Sequence, residues 1–397
     1  MPGLNIAIVG AGIGGLVAAL ALDTAGHTVT LIERRTGFSE VGAGLQLSPN
    51  ASRVLIGLGL GPALRRAASE PPQVVVRALA TGRQIGGVTL GGHHREAFGA
   101  PYYVIHRADL QTLLLDAIRG RPGIRLLVGR NVTGLVETPD AVTLTLESGE
   151  GTRTETLGAD LVVGADGVRS RLRGHLDNKP LKTCGAAAWR AVLPREAAPA
   201  ELQGDATGLW LGRGRHVVHY PILGGQHINV VAVVPERLGS EDWGQLGEPA
   251  VLRAQFRDAA GPLADLLAIP DSWLVWSLVD RPVARPMARG RVALLGDAAH
   301  PILPFLAQGA ALAIEDAAIL AAALGRAAIP DALDAYARAR SPRAKRVRTA
   351  ARANGRTYHA GALVGRVRNA VMRRLGPDGM TRRYAWLYGW SHNDGTP

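Results

Sequence analysis

Cysteine is almost absent: Cys184 is the single one in 397 residues. One thiol closes no internal disulfide and builds no cysteine-based metal site, so a disulfide-stapled scaffold and a zinc module are excluded. Long apolar runs are missing too. None approaches the roughly 18 residues that a membrane-spanning helix needs. Met1-Pro2-Gly3-Leu4-Asn5 leads straight into an apolar segment with no secretory leader, so a cytoplasmic protein with no membrane span is expected. Lysine is scarce, with only Lys179, Lys182 and Lys345, and the net charge of +12 is carried by arginine. The densest basic stretch includes Arg338, Arg340, Arg343, Arg346, Arg348 and Arg352. It fits a solvated helix face, or a positive field that draws an anionic ligand. With no aromatic-interleaved basic motif beside it, nucleic acid is not expected as a partner.

Hydrophobic residues make up 47% of the chain and charged residues 20%, which suits one large or two interlocked domains with a substantial core. Glycine is plentiful, and its most informative run is Gly10-Ala11-Gly12-Ile13-Gly14-Gly15. The apolar run Ile6–Val9 before it reads as a buried strand, and Leu16–Leu22 after it has high helix propensity. A second apolar run, Val29–Ile32, ends at Glu33, beside Arg34. Strand, glycine turn, helix, strand and acidic residue form the dinucleotide-binding pattern. Gly10 permits the turn, Gly12 lets a pyrophosphate approach, Gly15 lets helix and strand pack, and Glu33 suits a ribose. Taken alone, the glycines fit a tight turn equally well.

Val41–Asn50 reads as a glycine-bearing loop that could border a flat ligand, followed by a helix to about Leu58. Residues 73–104 read as strands and turns. Asp109 favours a helix from His106 to Ile118, and Arg107 just before it is a phosphate ligand or a surface arginine. Strands follow at Ile124–Val128, Val132–Glu137 and Val142–Leu146. Asp160–Gly164 is a parallel-type strand that meets Ala165-Asp166-Gly167, either a ligand-binding strand end or a plain turn. From about 183 to 280 the alternation suggests a mostly antiparallel sheet. His216 and Tyr220 lie four apart, so one strand face carries both, while His219 points to the other. They are a structural pair or part of a site. The strand Gly290–Leu295 ends in Gly296-Asp297. His300 has no ligand-spaced partner and reads as structural. Gly309 and Ala310 begin a long helix whose free N–H groups favour an electron-rich edge. A further helix covers Asp331–Arg352.

Together the three stretches resemble the single-component FAD-dependent aromatic hydroxylases. Ala165-Asp166-Gly167 with Ser170 and Arg173 is similar to the family's middle motif, and Gly296-Asp297 with Ala298–Pro301 to its late one. The resemblance spans about residues 4–340. It implies an α/β fold: a Rossmann-type FAD-binding domain, an interleaved mostly antiparallel substrate domain, and C-terminal helices. The implied division is 1–72, 105–180 and 281–335 for FAD, 73–104 and 181–280 for substrate, and 336–397 for the helical segment. It implies FAD contacts from Gly10, Gly12, Gly14, Gly15, Glu33, Arg34, Gln46, Arg107, Val132, Asp166, Asp297, Gly309 and Ala310. Asp297 would hold the ribityl chain, and Asp166 would be shared with the nicotinamide nucleotide.

Gly42–Asn50 and Leu303–Ala310 look most like the salicylate hydroxylase and 3-hydroxybenzoate 6-hydroxylase branch. There His216 and Tyr220 would be catalytic, and Gln46, Pro304 and Gln308 would join them at the substrate. Relatives often have glycine where Ala307 stands. The implied reaction is hydroxylation of a small phenolic or hydroxy-aromatic acid with NADH or NADPH and O2, through a C4a-hydroperoxyflavin, in a monomer or homodimer without a metal. His216 would be the base and Tyr220 its relay. The family motifs also fit a larger polycyclic or antibiotic substrate. The nucleotide-binding pattern by itself also admits an FAD-linked reductase without oxygen chemistry, or a nucleotide-sensing binding protein.

Overall fold

The structure is a computed structural model, and it describes residues 3–38, 44–148, 153–239 and 243–392. Part of the expected 41–50 loop, Val41–Ala43, lies outside the described residues. The chain begins β1 (Asn5–Val9), α1 (Ile13–Thr24), β2 (Thr28–Glu33), β3 (Gly44–Leu47), α2 (Pro49–Leu55) and α3 (Gly61–Ala67). It continues β4 (Gln73–Ala78), β5 (Gln84–Thr89), α4 (Gly91–Phe98), β6 (Tyr103–His106), α5 (Arg107–Arg119) and β7 (Ile124–Val128). Next come β8 (Arg130–Glu137), β9 (Val142–Ser148), β10 (Thr154–Ala159), β11 (Leu161–Gly164), β12 (Lys182–Pro194), β13 (Thr207–Leu211), β14 (His216–Ile222) and β15 (His227–Pro235). The last third carries β16 (Trp243–Gly247), α6 (Pro249–Gln255), α7 (Gly261–Ala268), β17 (Trp273–Asp280), β18 (Ala288–Arg289) and β19 (Val292–Leu294). Four helices close the chain: α8 (Gly309–Leu324), α9 (Ile329–Tyr358), α10 (Ala362–Arg383) and α11 (Ala385–Tyr388).

The first sheet runs β18-β19-β11-β1-β2-β7 and is parallel except at β18–β19. Parallel strands are covered on both faces, so they read as unbroken apolar runs. Ile6–Val9 and Leu161–Gly164 are accordingly buried throughout. α1 packs against α5 and α8 and is buried from Gly15 to Leu22, which is why it carries Ala and Leu on nearly every side. Each fully buried Leu, Val or Ile here is worth about 1.5–3 kcal/mol. The second large sheet runs β16-β17-β12-β15-β14-β13-β4-β5, antiparallel except where β13 meets β4. A long connection, from β4 to β13, feeds that one parallel pair, as parallel pairing requires. The expected α/β architecture is present: a Rossmann-type sheet, an interleaved mostly antiparallel one, and C-terminal helices.

The elements differ from expectation in places: residues 44–47, read as loop, form β3, which pairs with β6. Residues 91–98 form α4, although Gly91-Gly92-His93-His94 has poor helix propensity. Tertiary packing overrides it: His94 is fully buried with its ring 5.1 Å from those of Phe98 and Tyr388 and 5.8 Å from that of Tyr102. A boundary at 104/105 falls inside β6. One at 335/336 falls inside α9, whose buried side runs on through Ala332, Leu333, Tyr336, Arg340, Ala344, Val347 and Ala351. A helix that keeps one buried stripe from Ala332 to Ala351 is a single packing unit, so the core continues past residue 335.

Candidate active site

Three glycine turns meet at the carboxyl ends of the parallel strands. β1 pairs with β2 and β11, and β11 with β19, so Gly10, Gly164-Ala165-Asp166 and Gly296-Asp297 emerge side by side. This edge of an open α/β sheet is where ligands bind. Gly10 has a φ of 107°, and a Cβ there would run into the Ala165 carbonyl. At Gly15 a Cβ would strike the Gly10 carbonyl, so helix and strand do pack closest at this residue. At Gly14 a Cβ would stand 2.8 Å from Leu295 Cδ1, which seats α1 on the strand that ends at Asp297. Gly12 is different: nothing lies within 4 Å of its Cβ position, and its φ is an ordinary −72°. The open space lies at the glycine expected to face a pyrophosphate, so the turn fits FAD. Gly12→Val is therefore expected to fold normally, with stability within about 0.5 kcal/mol. It should lose FAD affinity by roughly 100-fold, or about 3 kcal/mol, as a flavin titration would read. A variant that folds and holds FAD as tightly as the native protein would remove the cradle from this turn.

Around the turn, Glu33 accepts hydrogen bonds from the N–H of Ala11 at 3.0 Å and of Arg35 at 2.9 Å. A carboxylate has about four acceptor positions, so this one is oriented and not exhausted. Arg34 is exposed just beyond it, and Val132 on β8 is partly buried against the same core. Asp166 Oδ2 accepts from the N–H of Arg171 at 2.8 Å and Leu172 at 3.3 Å, while its Oδ1 is buried with no partner among the described residues. Burial pushes this carboxyl up, against the pull of Ser170 and the backbone donors. An orphaned oxygen at a strand edge suits a ligand donor. Asp297 has accessible surface, yet the surrounding protein raises its pKa against the pull of His300 and Arg107. A Cβ on Gly309 would stand 3.9 Å from Asp297 Oδ1, which puts Asp297 at the start of α8, where Gln308 gives no side-chain cap. The first N–H groups of α8, from Gly309 and Ala310 on, lack intrahelical partners there.

Gln308 is held from both ends of its side chain. It is 1% exposed, its Nε2 donates to Ser48 Oγ at 2.8 Å, and its Oε1 accepts from Asn50 at 3.1 Å. With one bond at each end of the amide, Gln308 ties α8 to the start of α2. Asn50 also donates to Glu315 at 2.6 Å, and Glu315 meets Arg340 and Arg343, each at 2.8 Å. Asp316 joins Arg340 at 2.6 Å, His300 at 2.6 Å and the Gly296 N–H at 2.8 Å. His300 is thus a structural histidine, and the described residues contain no cluster that could hold a metal. Beside Gln308, Ala307 sits at a φ of 52°, a left-handed conformation that costs a non-glycine residue about 1 kcal/mol. Pro304 is exposed, while Phe305 after it is buried.

One face of the antiparallel sheet supplies the rest. The register β14–β15–β12–β17 puts His216, Tyr220, Asn229, Arg190 and Trp276 on it, while His219 faces away toward Trp210. The Tyr220 ring lies where a Cβ on Gly44 would be, and Asn229 Oδ1 accepts from the Gly44 N–H at 2.9 Å. Gln46 accepts from Tyr102 Oη at 2.6 Å, just before β6, the strand that pairs with β3. β3 is thereby held against the sheet face, and Gln46 and Tyr220 share one neighbourhood. Burial raises the Tyr220 phenol, against the pull of Arg190. His216 is 3% exposed, packs near Phe305 and Tyr358, and is driven down to about 3 by burial and by His359.

Arg190 escaped the sequence reading. Its guanidinium sits 5.0 Å from the Trp276 ring, in electrostatic reach of Tyr220 and Arg107, and burial lowers its pKa. Its Nε is buried without a hydrogen-bond partner among the described residues. A lone arginine inside the apolar strand Ala186–Leu193 was the available signal. Arg107 is in reach of both Asp297 and Arg190, so it links the glycine-turn side to the sheet face.

Comparison with known proteins gives the same picture. Residues 4–351 match the family described as FAD binding domain. The chain is 34% identical over 391 residues to 3-hydroxybenzoate 6-hydroxylase of Polaromonas naphthalenivorans (strain CJ2), covering 98% of this chain and 96% of that one. It superposes on Klebsiella pneumoniae HpxO, complexed with FAD and uric acid, with TM-score 0.84 and 25% identity over 97% of this chain and 96% of that one. A salicylate hydroxylase substrate complex gives TM-score 0.82 and 25% identity over 99% and 97% of the two chains. With three glycine turns at one sheet edge and similarity along its whole length, the chain belongs to the single-component FAD-dependent aromatic hydroxylases.

Proposed function

We propose that this monooxygenase hydroxylates the ring of a small hydroxy-aromatic acid, with NAD(P)H and O2 as co-substrates, in the cytoplasm where reduced nicotinamide is available. The observation that carries the substrate class is Arg190, a half-buried cation whose Nε is buried without a partner among the described residues, beside Trp276 and in electrostatic reach of Tyr220 on the face that also bears His216. A cation with that environment suits a carboxylate on a flat ring. Bound FAD supplies the redox chemistry, taking reducing equivalents from NAD(P)H and passing one oxygen atom of O2 to the ring. Gly12, Glu33, Arg107, Asp166, Asp297 and the start of α8 would hold it, and Asp166 Oδ1 and the space at Gly12 support that assignment. The two sheets then divide the work, cofactor on the parallel one and substrate on the antiparallel one.

The protein's own contribution is binding and proton handling. Arg190 neutralises the acid, and the rings of Trp276, Phe305 and Tyr220 exclude water. His216 accepts the proton of the ring hydroxyl, which raises the nucleophilicity of the ring carbon, and Tyr220 hydrogen-bonds the same oxygen. The test is a screen of hydroxybenzoates, aminohydroxybenzoates and hydroxypyridine acids for stimulated NAD(P)H oxidation, with products identified by mass. A flavin-loaded protein that oxygenates only large polycyclic rings would overturn the assignment. Arg190→Met is expected to raise KM for the acid about 10- to 100-fold, the range for a hydrogen bond to a charged group. The primary amide of the same substrate should be little affected; equal losses for acid and amide would move the carboxylate elsewhere.

A further inference from the structure

His216 poses a problem as a base. It is buried, and its imidazolium is strongly disfavoured where it stands. A base that must keep the proton it takes works poorly in such a place. His216 does not stand alone, however. Its Nδ1 lies 2.8 Å from Nε2 of His359, a residue 143 positions away. His359 follows the last turn of α9, and it is half-buried where His216 is closed off. Its position is fixed on both sides. The His359 N–H donates to the Gly355 carbonyl at 3.1 Å, its carbonyl accepts from the Gly214 N–H at 3.2 Å just before β14, and its ring meets Phe305 edge-on at 5.5 Å.

A neutral imidazole has one donor nitrogen and one acceptor nitrogen. A bond between two neutral imidazoles therefore has two states. In one, His216 Nδ1–H donates to His359 Nε2, and His216 Nε2 is an acceptor. In the other, His359 Nε2–H donates to His216 Nδ1, and His216 Nε2 carries the hydrogen. We propose that His216 and His359 form a two-imidazole relay, which carries the proton of the substrate hydroxyl from the buried face to solvent. The proposal rests on His216 being the group at that hydroxyl.

The step balances. The substrate O–H bond breaks as an N–H bond forms at His216 Nε2. His216 Nδ1–H breaks as its proton passes to His359 Nε2, and His359 releases its Nδ1 proton to water. The ring keeps the electron pair of its O–H bond as a phenolate, and nothing is oxidised or reduced. The pair is left in its second state, in which His216 Nε2–H can return a proton to the product oxygen. His216 is neutral in both states, so its reluctance to hold charge ceases to be an obstacle.

The groups facing the pair fit this role. Tyr358 and Tyr384 have phenols raised by burial and stay protonated, so neither competes for the proton. Arg368 of α10 is turned to the carbonyls of Thr357 and Tyr358, at 3.0 Å each. Arg215, beside His216 in sequence, pairs with Asp258. Phe305 and Val233, the residue opposite His216 in the register, are apolar. His359 itself is brought down to about 4 by burial alone, so both rings are neutral at physiological pH.

The experiment uses FAD-loaded full-length protein and 3-hydroxybenzoate as the probe, or whichever hydroxy-aromatic acid the screen returns. His359→Gln keeps a hydrogen-bonding side chain but cannot pass a proton through. It should leave FAD binding and the KM for the acid within about two-fold, and lower product formed per NAD(P)H about ten-fold or more. Its hydroxylation rate should rise with pH toward the ionisation of the free phenol, near 10, where the native enzyme is flat between about 6 and 8. Without turnover, a pH jump on the bound acid should be followed by deprotonation about ten-fold or more slower in the variant than in the native protein. Should the variant not fold, 15N-histidine spectra of the native protein decide: with the acid bound, His216 should carry its hydrogen on Nδ1 and leave Nε2 to accept from the hydroxyl, and a hydrogen on Nε2 overturns the relay. A folded His359→Gln with native product yield, pH profile and pH-jump rate also overturns it. His216→Gln run alongside separates the two ideas. If it too is native-like, His216 is not the base; if it alone fails, only the relay is wrong.

Discussion

His216→Ala is expected to lose ring hydroxylation by about 10²- to 10⁴-fold, the usual worth of a positioned acid–base group. FAD binding and NAD(P)H oxidation should survive, with reducing equivalents diverted to hydrogen peroxide. The split follows from geometry. His216 lies on β14 of the antiparallel sheet, whereas Gly10–Gly15, Asp166 and Asp297 lie at the edge of the parallel one. Removing the imidazole opens a hollow next to Phe305, Tyr358 and His359 but leaves the glycine turns in place. The measurement is product formed per NAD(P)H consumed, with the flavin spectrum as a control on loading. Normal coupling in a folded variant would move the proton-accepting role to another group on the same face.

Arg340→Ala is expected to be the most damaging single change to the fold, at about 3–5 kcal/mol, because it removes the cation shared by two buried carboxylates and leaves Asp316 to His300 and Glu315 to Arg343. Arg340 is 1% exposed, and Glu315 and Asp316 are fully buried. Burial by itself pushes the Asp316 carboxyl up; His300 and Arg340 outweigh it and hold it at about 2. The damage should reach the cofactor, since Asp316 accepts the Gly296 N–H and so holds the turn that presents Asp297. Denaturant midpoint and FAD retention should fall together. Arg340→Lys should lie between, because one ammonium cannot replace a fork that engages both carboxylates. The same group gives a pH dependence. A depressed carboxyl stabilises the fold above its unfolded range near pH 4 and loses that contribution as pH falls toward 2. Native stability should drop across that window. If Arg340→Ala unfolds at the native denaturant midpoint, the network is not what holds the late turn.

Much of the fold was legible because its strongest signals are local. A buried parallel strand announces itself as a short apolar run, and the turn after it needs glycine for steric reasons confined to a few residues, as at Gly10 and Gly296. α4 was not legible, because its glycines and histidines oppose a helix and only the ring cluster around His94 enforces one. The length of α9 was not legible either, since its buried stripe is set by what the helix packs against.

The site divides along the same line. The sequence by itself determined the three glycine turns, the acidic residues that follow them, and the even spacing that sets His216 and Tyr220 on one strand face. Only the tertiary structure decided who their neighbours are. Gln308 is drawn into a network with Ser48 and Asn50 about 260 residues away, Arg190 is stranded beside Trp276, and His359 is brought from the end of α9 to His216. Spacing along a chain fixes which face a side chain leaves by, through the geometry of strand and helix. Hydrogen-bond partners, desolvation and proton affinity depend on what the rest of the chain packs against that face, and no local pattern encodes it.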